Sequence, residues 1–341
     1  MIDDIQSQNK SLVKQLCDAM YDFESSNLLA TLERLLATDC NVRMGHPFGD
    51  PSGDIIGAAS LYSNVYQGLF EALPDLERRD YIRIAGPSET GEQWVGCAGF
   101  YTGVFTNSWM GIRPTGHLIT MRFHEFFRVE NERIVEIQAV WDIPDWLRQA
   151  NAWPMVPSLG CEIHVPGPAT NNGIVSGHYD VMQSESTRKH IINMLTAMTR
   201  HPLEGGPEVM EMEKYWHPKM NWYGPSGIGT CRGIAGFRQW HQIPFLNAMP
   251  DRGQYPEEAS FHFFADGDFA AVTGWPNMAQ TITGDGWLGL APTGQKITLR
   301  SLDFWRLENG LIRENWVLVD LLHVYDQLGI DVMTRARQMN G

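Results

Sequence analysis

The sequence predicts an α+β fold built twice in tandem. Three observations carry that prediction: a long internal repeat, helical before strand-like patterning within each copy, and a Pro- and Gly-rich stretch between the copies. The repeat is clearest where Gly111 to Asp142 is laid on Gly289 to Asp320 at a constant offset of 178, with 14 of 32 positions identical. Unrelated segments of this composition share about two. Upstream, EALPD (Glu71 to Asp75) answers NAMPD (Asn247 to Asp251), so the whole unit is duplicated. A period of this size is a domain rather than a solenoid repeat. The expected division is residues 1–152, a linker at 153–183 that holds Pro154, Pro157, Pro166 and Pro168, and residues 184–341.

In each copy the first element is a helix. SLVKQLCDAMYDF (Ser11 to Phe23) and HIINMLTAMT (His190 to Thr199) space their apolar residues at the 3.6-residue period. The last elements are strands. QKITLRSLDFWRLENGLIRENWVLVD reads as two β-rich runs joined at Asn309-Gly310, a dipeptide that accepts the positive φ angles of a type I′ turn, and the first copy carries Asn131-Glu132 in its place. Pairing outward from Asn309-Gly310 sets Leu307 against Ile312, Trp305 against Glu314, Asp303 against Trp316, Ser301 against Leu318 and Leu299 against Asp320. The first copy gives Val129 with Ile134, Phe127 with Glu136, Glu125 with Gln138, Phe123 with Val140 and Met121 with Asp142. Both predicted faces are largely apolar and end in an aspartate.

Composition removes several classes of function. The hydrophobic share of 43% is that of a folded globular chain, and 26 Lys+Arg against 40 Asp+Glu leave a net charge of −14, which repels nucleic acid and anionic membranes. No run approaches the roughly 18 apolar residues of a membrane span, and Met1 to Lys10 lacks the basic and apolar regions of an export signal. The five cysteines are scattered without a CxxC pair, which predicts a reducing cytoplasm and neither a disulfide framework nor a thiolate metal site. No HxxxH or HExxH, complete GxGxxG, GxxxxGK[ST] or GxSxG occurs, so the expectation is no metal and no phosphate-cradling cofactor.

The chemistry that remains is carboxylate chemistry in an apolar concavity. Asp142 and Asp320, each at the end of an apolar hairpin face, are candidate general acid/bases, because desolvation raises a carboxyl pKa toward useful values. The spacing equally fits Asp320 as the N-cap of DLLHVYDQLG, with Gly329 closing that helix, and an N-cap carboxylate is held ionised. Glu125 and Asp303, four residues along the strand from the row of Asp142 and Asp320 and so roughly 13 Å from it, are candidate ligand contacts, with Arg128 and Arg306 as alternative partners. Trp316, Trp287 and Trp109 are candidate aromatic walls, while His46, His241, His323 and Tyr223 are candidate polar contacts, the last three as holders of an enolate oxygen.

The segment Trp287 to Gly329 resembles the C-terminal signature of SnoaL-like polyketide cyclases through Gly289, Pro292-Thr293-Gly294, Asp303, Arg306, Asn309-Gly310, Ile312, Glu314, Trp316, Asp320 and Gln327-Leu328-Gly329. The first copy repeats it through Gly111, Pro114-Thr115-Gly116, Glu125, Arg128, Ile134, Glu136 and Asp142, and departs from it at Trp141-Asp142-Ile143-Pro144. The resemblance implies two tandem cone-shaped α+β barrels of the nuclear-transport-factor-like type. It implies Asp320, and in the first copy Asp142, as general acid/base of a cofactor-free intramolecular aldol ring closure on an apolar, carbonyl-containing small molecule. Isomerase, dehydratase or hydrolase chemistry, and plain binding of a lipophilic ligand, are the alternatives. It also implies sheet-to-sheet pairing of the two domains within one chain, with further homo-oligomerisation open.

Overall fold

A computed structural model describes residues 5–21, 25–48 and 55–340. The first unit runs α1 (Ile5–Tyr21), α2 (Ser25–Leu35), β1 (Leu36–Met44), β2 (Ile55–Ile56), α3 (Gly57–Leu61), a π-helical turn (Tyr62–Tyr66), α4 (Gln67–Ala72), β3 (Glu77–Pro87), β4 (Gln93–Val104), β5 (Leu118–Glu130), β6 (Arg133–Trp141) and α5 (Ile143–Gln149). The second repeats the plan with α6 (Val181–Met198), α7 (Met212–Tyr215), β7 (Trp216–Tyr223), β8 (Thr230–Arg232), α8 (Gly233–Phe237), a second π-helical turn (Arg238–Gln242) and α9 (Ile243–Ala248). It continues with β9 (His262–Asp266), β10 (Phe269–Thr273), β11 (Met278–Thr281), β12 (Lys296–Leu299), β13 (Ser301–Glu308), β14 (Leu311–Val319), α10 (Leu321–Gln327) and α11 (Val332–Asn340).

Each unit holds a six-stranded sheet, ordered β2-β1-β6-β5-β4-β3 and β8-β7-β14-β13-β10-β9, with β11 and β12 as a separate pair. The β1–β6 and β7–β14 pairs are parallel and the rest antiparallel, so the expected α+β tandem is what forms. The helices form where the apolar periodicity lies but run longer. In α1, Val13, Leu16, Cys17 and Met20 are buried at helical spacing, and of the expected run only Asp22 and Phe23 lie outside the described residues. In α6 the helix starts at Val181, because the Asp180 carboxylate accepts from the Gln183 amide at 3.0 Å and caps its first turn. That start falls inside the stretch expected as linker. The rest of the stretch is packed rather than slack: Cys161 pairs with Thr230, Ile174 bridges to Arg83, and the Pro166 carbonyl accepts from the Trp316 indole at 2.9 Å.

Both hairpins turn where expected, with positive φ at Asn131 and Glu132 and at Asn309 and Gly310. The register beyond the first pairs differs from the outward count. Leu307 does face Ile312, but a bulge between Arg306 and Leu307 slips the ladder by one, so that Asp303 faces Val317 and Phe304 faces Trp316. The first unit has the same bulge between Arg128 and Val129, which sets Glu125 against Ala139 and Phe123 against Trp141. A one-residue slip exchanges the two faces of a strand. Ser301, Asp303 and Trp305 therefore point with Asn315, Val317 and Val319 into the second unit, whereas Leu302, Phe304, Trp316 and Leu318 point out of it.

The outward faces of the two sheets cover each other. Ile82, Ile84, Trp94, Phe126 and Val140 from the first sheet pack with Tyr223, Phe264, Phe304, Trp316 and Leu318 from the second in one buried cluster. Phe126 and Phe304, equivalent at the offset of 178, stack on each other at 5.0 Å, which places a pseudo-twofold axis between β5 and β13. Polar ties cross the same seam. Lys10 pairs with Asp266 at 2.7 Å, and Arg122 donates to the carbonyls of Tyr223, Gly224 and Val317.

Candidate active site in the second unit

The interior of the second sheet and its helices enclose a cavity of about 350 Å³, within the size range of small-molecule sites. Its walls are aromatic and aliphatic: Trp216 and Trp222 from β7, Phe237 and Phe245 from the helices, Trp305 from β13 and Val317 from β14. The helical wall enters through the π-turn Arg238–Gln242, which puts His241 over Trp222 with ring centroids 4.0 Å apart and planes 15° from parallel.

Among the described residues four ionisable side chains line the cavity: Asp303, His241, Arg252 and the Tyr255 phenol. Asp303, on the inward face of β13, accepts from the Ser301 hydroxyl at 2.6 Å. Burial pushes its carboxyl up to about 7, against the lowering pull of that hydroxyl and of the Arg252 guanidinium. His241 is pushed down to about 3, first by burial and then by Arg252, so its imidazole is neutral, and its Nδ1 has no hydrogen-bond partner. Arg252 follows the Pro250-Asp251 turn, which is anchored by the Asp251 carboxylate accepting from the Thr281 amide at 2.9 Å. A carboxyl poised near neutrality beside a cation, in an aromatic enclosure, can take a proton from carbon and return it.

The first unit uses the same positions differently. Glu125, equivalent to Asp303, is buried and bonded by Arg78 at 2.6 Å, the Tyr101 hydroxyl at 2.8 Å and the Trp141 indole at 2.9 Å. The surrounding interior is packed with Tyr101, Phe123, Phe127 and Trp141, all buried. Ladder register matches Val42 to Trp222, and the equivalent helices match Val65 to His241, so the polar and aromatic furniture of the cavity belongs to the second unit. Glu125 is thus bonded to Arg78 and not to Arg128, which pairs with Glu136 at 3.0 Å, just as Arg306 pairs with Glu314 at 2.6 Å rather than with Asp303.

Of the residues singled out in the sequence, Asp303 and His241 meet in the cavity and the others do not. Asp320 lies on the seam as the N-cap of α10, accepting from the His323 amide at 3.2 Å, the His46 amide at 2.9 Å and Arg300 at 3.2 Å. Asp142 mirrors it at the start of α5, accepting from the Asp145 amide, from the Ser226 amide and from Arg122 at 3.3 Å. Each cap therefore reaches across to the other unit, and neither lines the cavity. Burial pushes Asp142 up to about 7 against Arg122, but its carboxylate is fully engaged by donors. His46 and His323 act there through their amides. Trp316 and Tyr223 face the seam, 5.5 Å apart, because the bulge turned that face outward. Trp287 stands behind Phe245 at 5.3 Å, and Trp109 packs on Trp146 in the first unit at 4.6 Å. Arg252 was not singled out in the sequence, although the repeat marks it: PDL in the first copy, with Leu76 buried, becomes PDR in the second.

Among the described residues one group has the reach to hold a metal, Cys17, Asp80 and Cys97, with ligand atoms within 4.8 Å of one another. It does not suit a cation. The Arg78 guanidinium already occupies Asp80 at 2.8 Å, and burial holds the Cys97 thiol protonated far above its ordinary value. No helix among the described residues is long and apolar enough to cross a membrane.

Two helix-backed curved sheets paired face to face, one of them closed over a cavity, define a tandem protein of the nuclear-transport-factor-like fold. The chain belongs to the SnoaL-like polyketide cyclase family, whose model matches residues 14–150 and again 207–328. Among solved structures it is similar to wild-type IdmH of Streptomyces antibioticus, a provisionally assigned polyketide cyclase, at 22% identity over 42% of this chain and 99% of that one, with a TM-score of 0.36. It is also similar to AclR of Streptomyces galilaeus, a provisionally assigned hydroxylase, at 18% identity over 45% and 90% of the two chains, with a TM-score of 0.36. An NTF2-like protein of Burkholderia thailandensis E264 aligns at 18% identity over 43% and 97%, with a TM-score of 0.32. None of the curated proteins compared matches the chain.

Proposed function

We propose that the chain is a cyclase-like enzyme whose single working cavity is in the second unit, with Asp303 as its general acid/base. The observation that supports this reading above all is Asp303 itself: a carboxyl raised to about 7, facing an aromatic cavity of about 350 Å³ and tied only to a serine hydroxyl. In its ionised form Asp303 removes a proton from the carbon next to a ketone of a flat, apolar substrate. The C–H electron pair becomes the enolate. The enolate carbon bonds to a second carbonyl of the same molecule, and the resulting alkoxide takes the proton back from Asp303, so a ring closes with no atom gained or lost. Trp222, Trp305 and Phe245 clasp the ring body and exclude water. The first unit, its interior filled and its Glu125 neutralised by Arg78, serves as the scaffold that covers the second sheet.

Deuterium uptake at C2 of 1-tetralone, a flat ketone with slow spontaneous exchange, tests the proton step without knowledge of the natural substrate. At pH 8 the wild-type protein is expected to accelerate uptake above buffer, and Asp303→Asn to lose about 100-fold or more of that acceleration. Equal rates in the two proteins would remove Asp303 from the chemistry.

A further inference from the structure

Among the described residues Arg252 is the one charged group of the cavity that the proton chemistry does not use. It stands half-buried in the cavity wall, where burial weighs against its charge and Asp303 supports it, and it makes no hydrogen bond or ion pair with any described residue. A guanidinium cannot shed its proton in a protein, so a half-buried one with no hydrogen-bonded partner carries a desolvation cost that Asp303 offsets only in part. The first unit shows that the position does not require it. After the matched Pro-Asp turn, anchored there by the Asp75 carboxylate accepting from Val104 as Asp251 accepts from Thr281, the first unit carries buried Leu76. Of its neighbours Asp303 supports the charge, and burial outweighs that support. His241 is neutral, the Ser301 hydroxyl is committed to Asp303, and the Asn277 side chain is bonded to the Ser301 backbone.

We infer that Arg252 is the anion-binding group of this cavity, and that the substrate presents to it an oxygen that carries negative charge, on an otherwise apolar ring body. The inference rests on the reading of the cavity as the substrate site. A planar fork of N–H donors suits a carboxylate bidentately, and it equally suits the oxygen on which enolate charge collects when Asp303 takes the neighbouring C–H proton. The shared chemistry is an anionic oxygen at Arg252, either permanent or formed during the reaction.

Quenching of tryptophan fluorescence, with Trp216, Trp222 and Trp305 in the walls, reports binding of two probes of one shape, 2-naphthoate and neutral 2-naphthamide, to the full chain at pH 6. The expected result is that naphthoate binds at least 10-fold more tightly, that Arg252→Met abolishes the preference while still binding naphthamide, and that Arg252→Lys keeps part of it. A fall of 10-fold or more in tetralone exchange in Arg252→Met assigns the enolate oxygen as well. Exchange unchanged beside a lost naphthoate preference assigns a permanent anion. Equal binding of the two probes to the wild type, or a preference that survives Arg252→Met, overturns the inference and leaves the cavity as a ligand site. Failure of both probes to bind overturns the cavity reading and the inference with it.

Discussion

Asp303 and Asp320 are both aspartates near the end of the same hairpin, and their surroundings separate them. Asp320 accepts two backbone amides and a guanidinium, which hold it in place as a cap, whereas Asp303 accepts one hydroxyl in an aromatic cavity. With its carboxyl raised to about 7, Asp303 acts as a base only once deprotonated, so tetralone exchange is expected to rise through about pH 7 and level off above it. The same shift acts on stability. An acid raised in the folded state stabilises the fold fully below its unfolded value of about 4, and that contribution is lost as pH rises through about 7. Asp303→Asn removes the loss, so its melting temperature is expected to gain on the wild type between pH 5 and pH 8. Asp142 shifts in the same direction and is common to both proteins, so the comparison isolates Asp303. A gap that shrinks over that range would contradict the assignment. At this scale the sequence was legible in residue types rather than in roles. A carboxylate at the end of an apolar strand reads identically as cap and as catalyst, and Arg252 was visible only as the departure from Leu76 within the repeat.

The two hairpins illustrate what a local pattern conveys about an element and what it omits. Asn-Gly and Asn-Glu placed both turns correctly, because positive φ is demanded at those positions and few residues tolerate it. The bulges after Arg128 and Arg306 left no compositional mark, and a single extra residue exchanged the faces of β5 and β13. Trp316 was thereby expected beside Asp303 and stands instead on the seam. Capping was likewise legible as an alternative: Asp320 starts α10 and Asp142 starts α5. Asp320→Asn keeps an acceptor for the His323 amide but weakens the contact to Arg300, so a loss of about 1 kcal/mol in urea unfolding is expected. A loss above about 3 kcal/mol would mean that the carboxylate charge does more on the seam than cap a helix and meet a partly exposed arginine.

For the whole molecule, duplication explains both the pairing and the asymmetry. Two copies in one chain satisfy a face-to-face contact internally: the repeat made the duplication readable, and the pairing was what the family resemblance implied. Once covered, one copy was free to fill its interior with Trp141, Tyr101 and the Arg78–Glu125 pair while the other kept a cavity. Which copy is open was not readable, because it depends on how side chains from distant elements meet across the interior. The seam is buried and aromatic around Phe126 and Phe304, so Phe304→Asp, which buries an unpaired carboxyl there, is expected to cost at least about 3 kcal/mol in urea unfolding. A cost below about 1 kcal/mol would show that the two sheets do not depend on each other.

The central claim is that proton chemistry belongs to Asp303 in the second cavity and not to the seam aspartate matched by the family signature. Deuterium exchange into 1-tetralone, measured side by side for Asp303→Asn and Asp320→Asn at pH 8, tests it most directly. The account predicts that Asp320→Asn exchanges within about threefold of the wild type while Asp303→Asn falls by about 100-fold or more. Loss of exchange in Asp320→Asn with Asp303→Asn unaffected would contradict it.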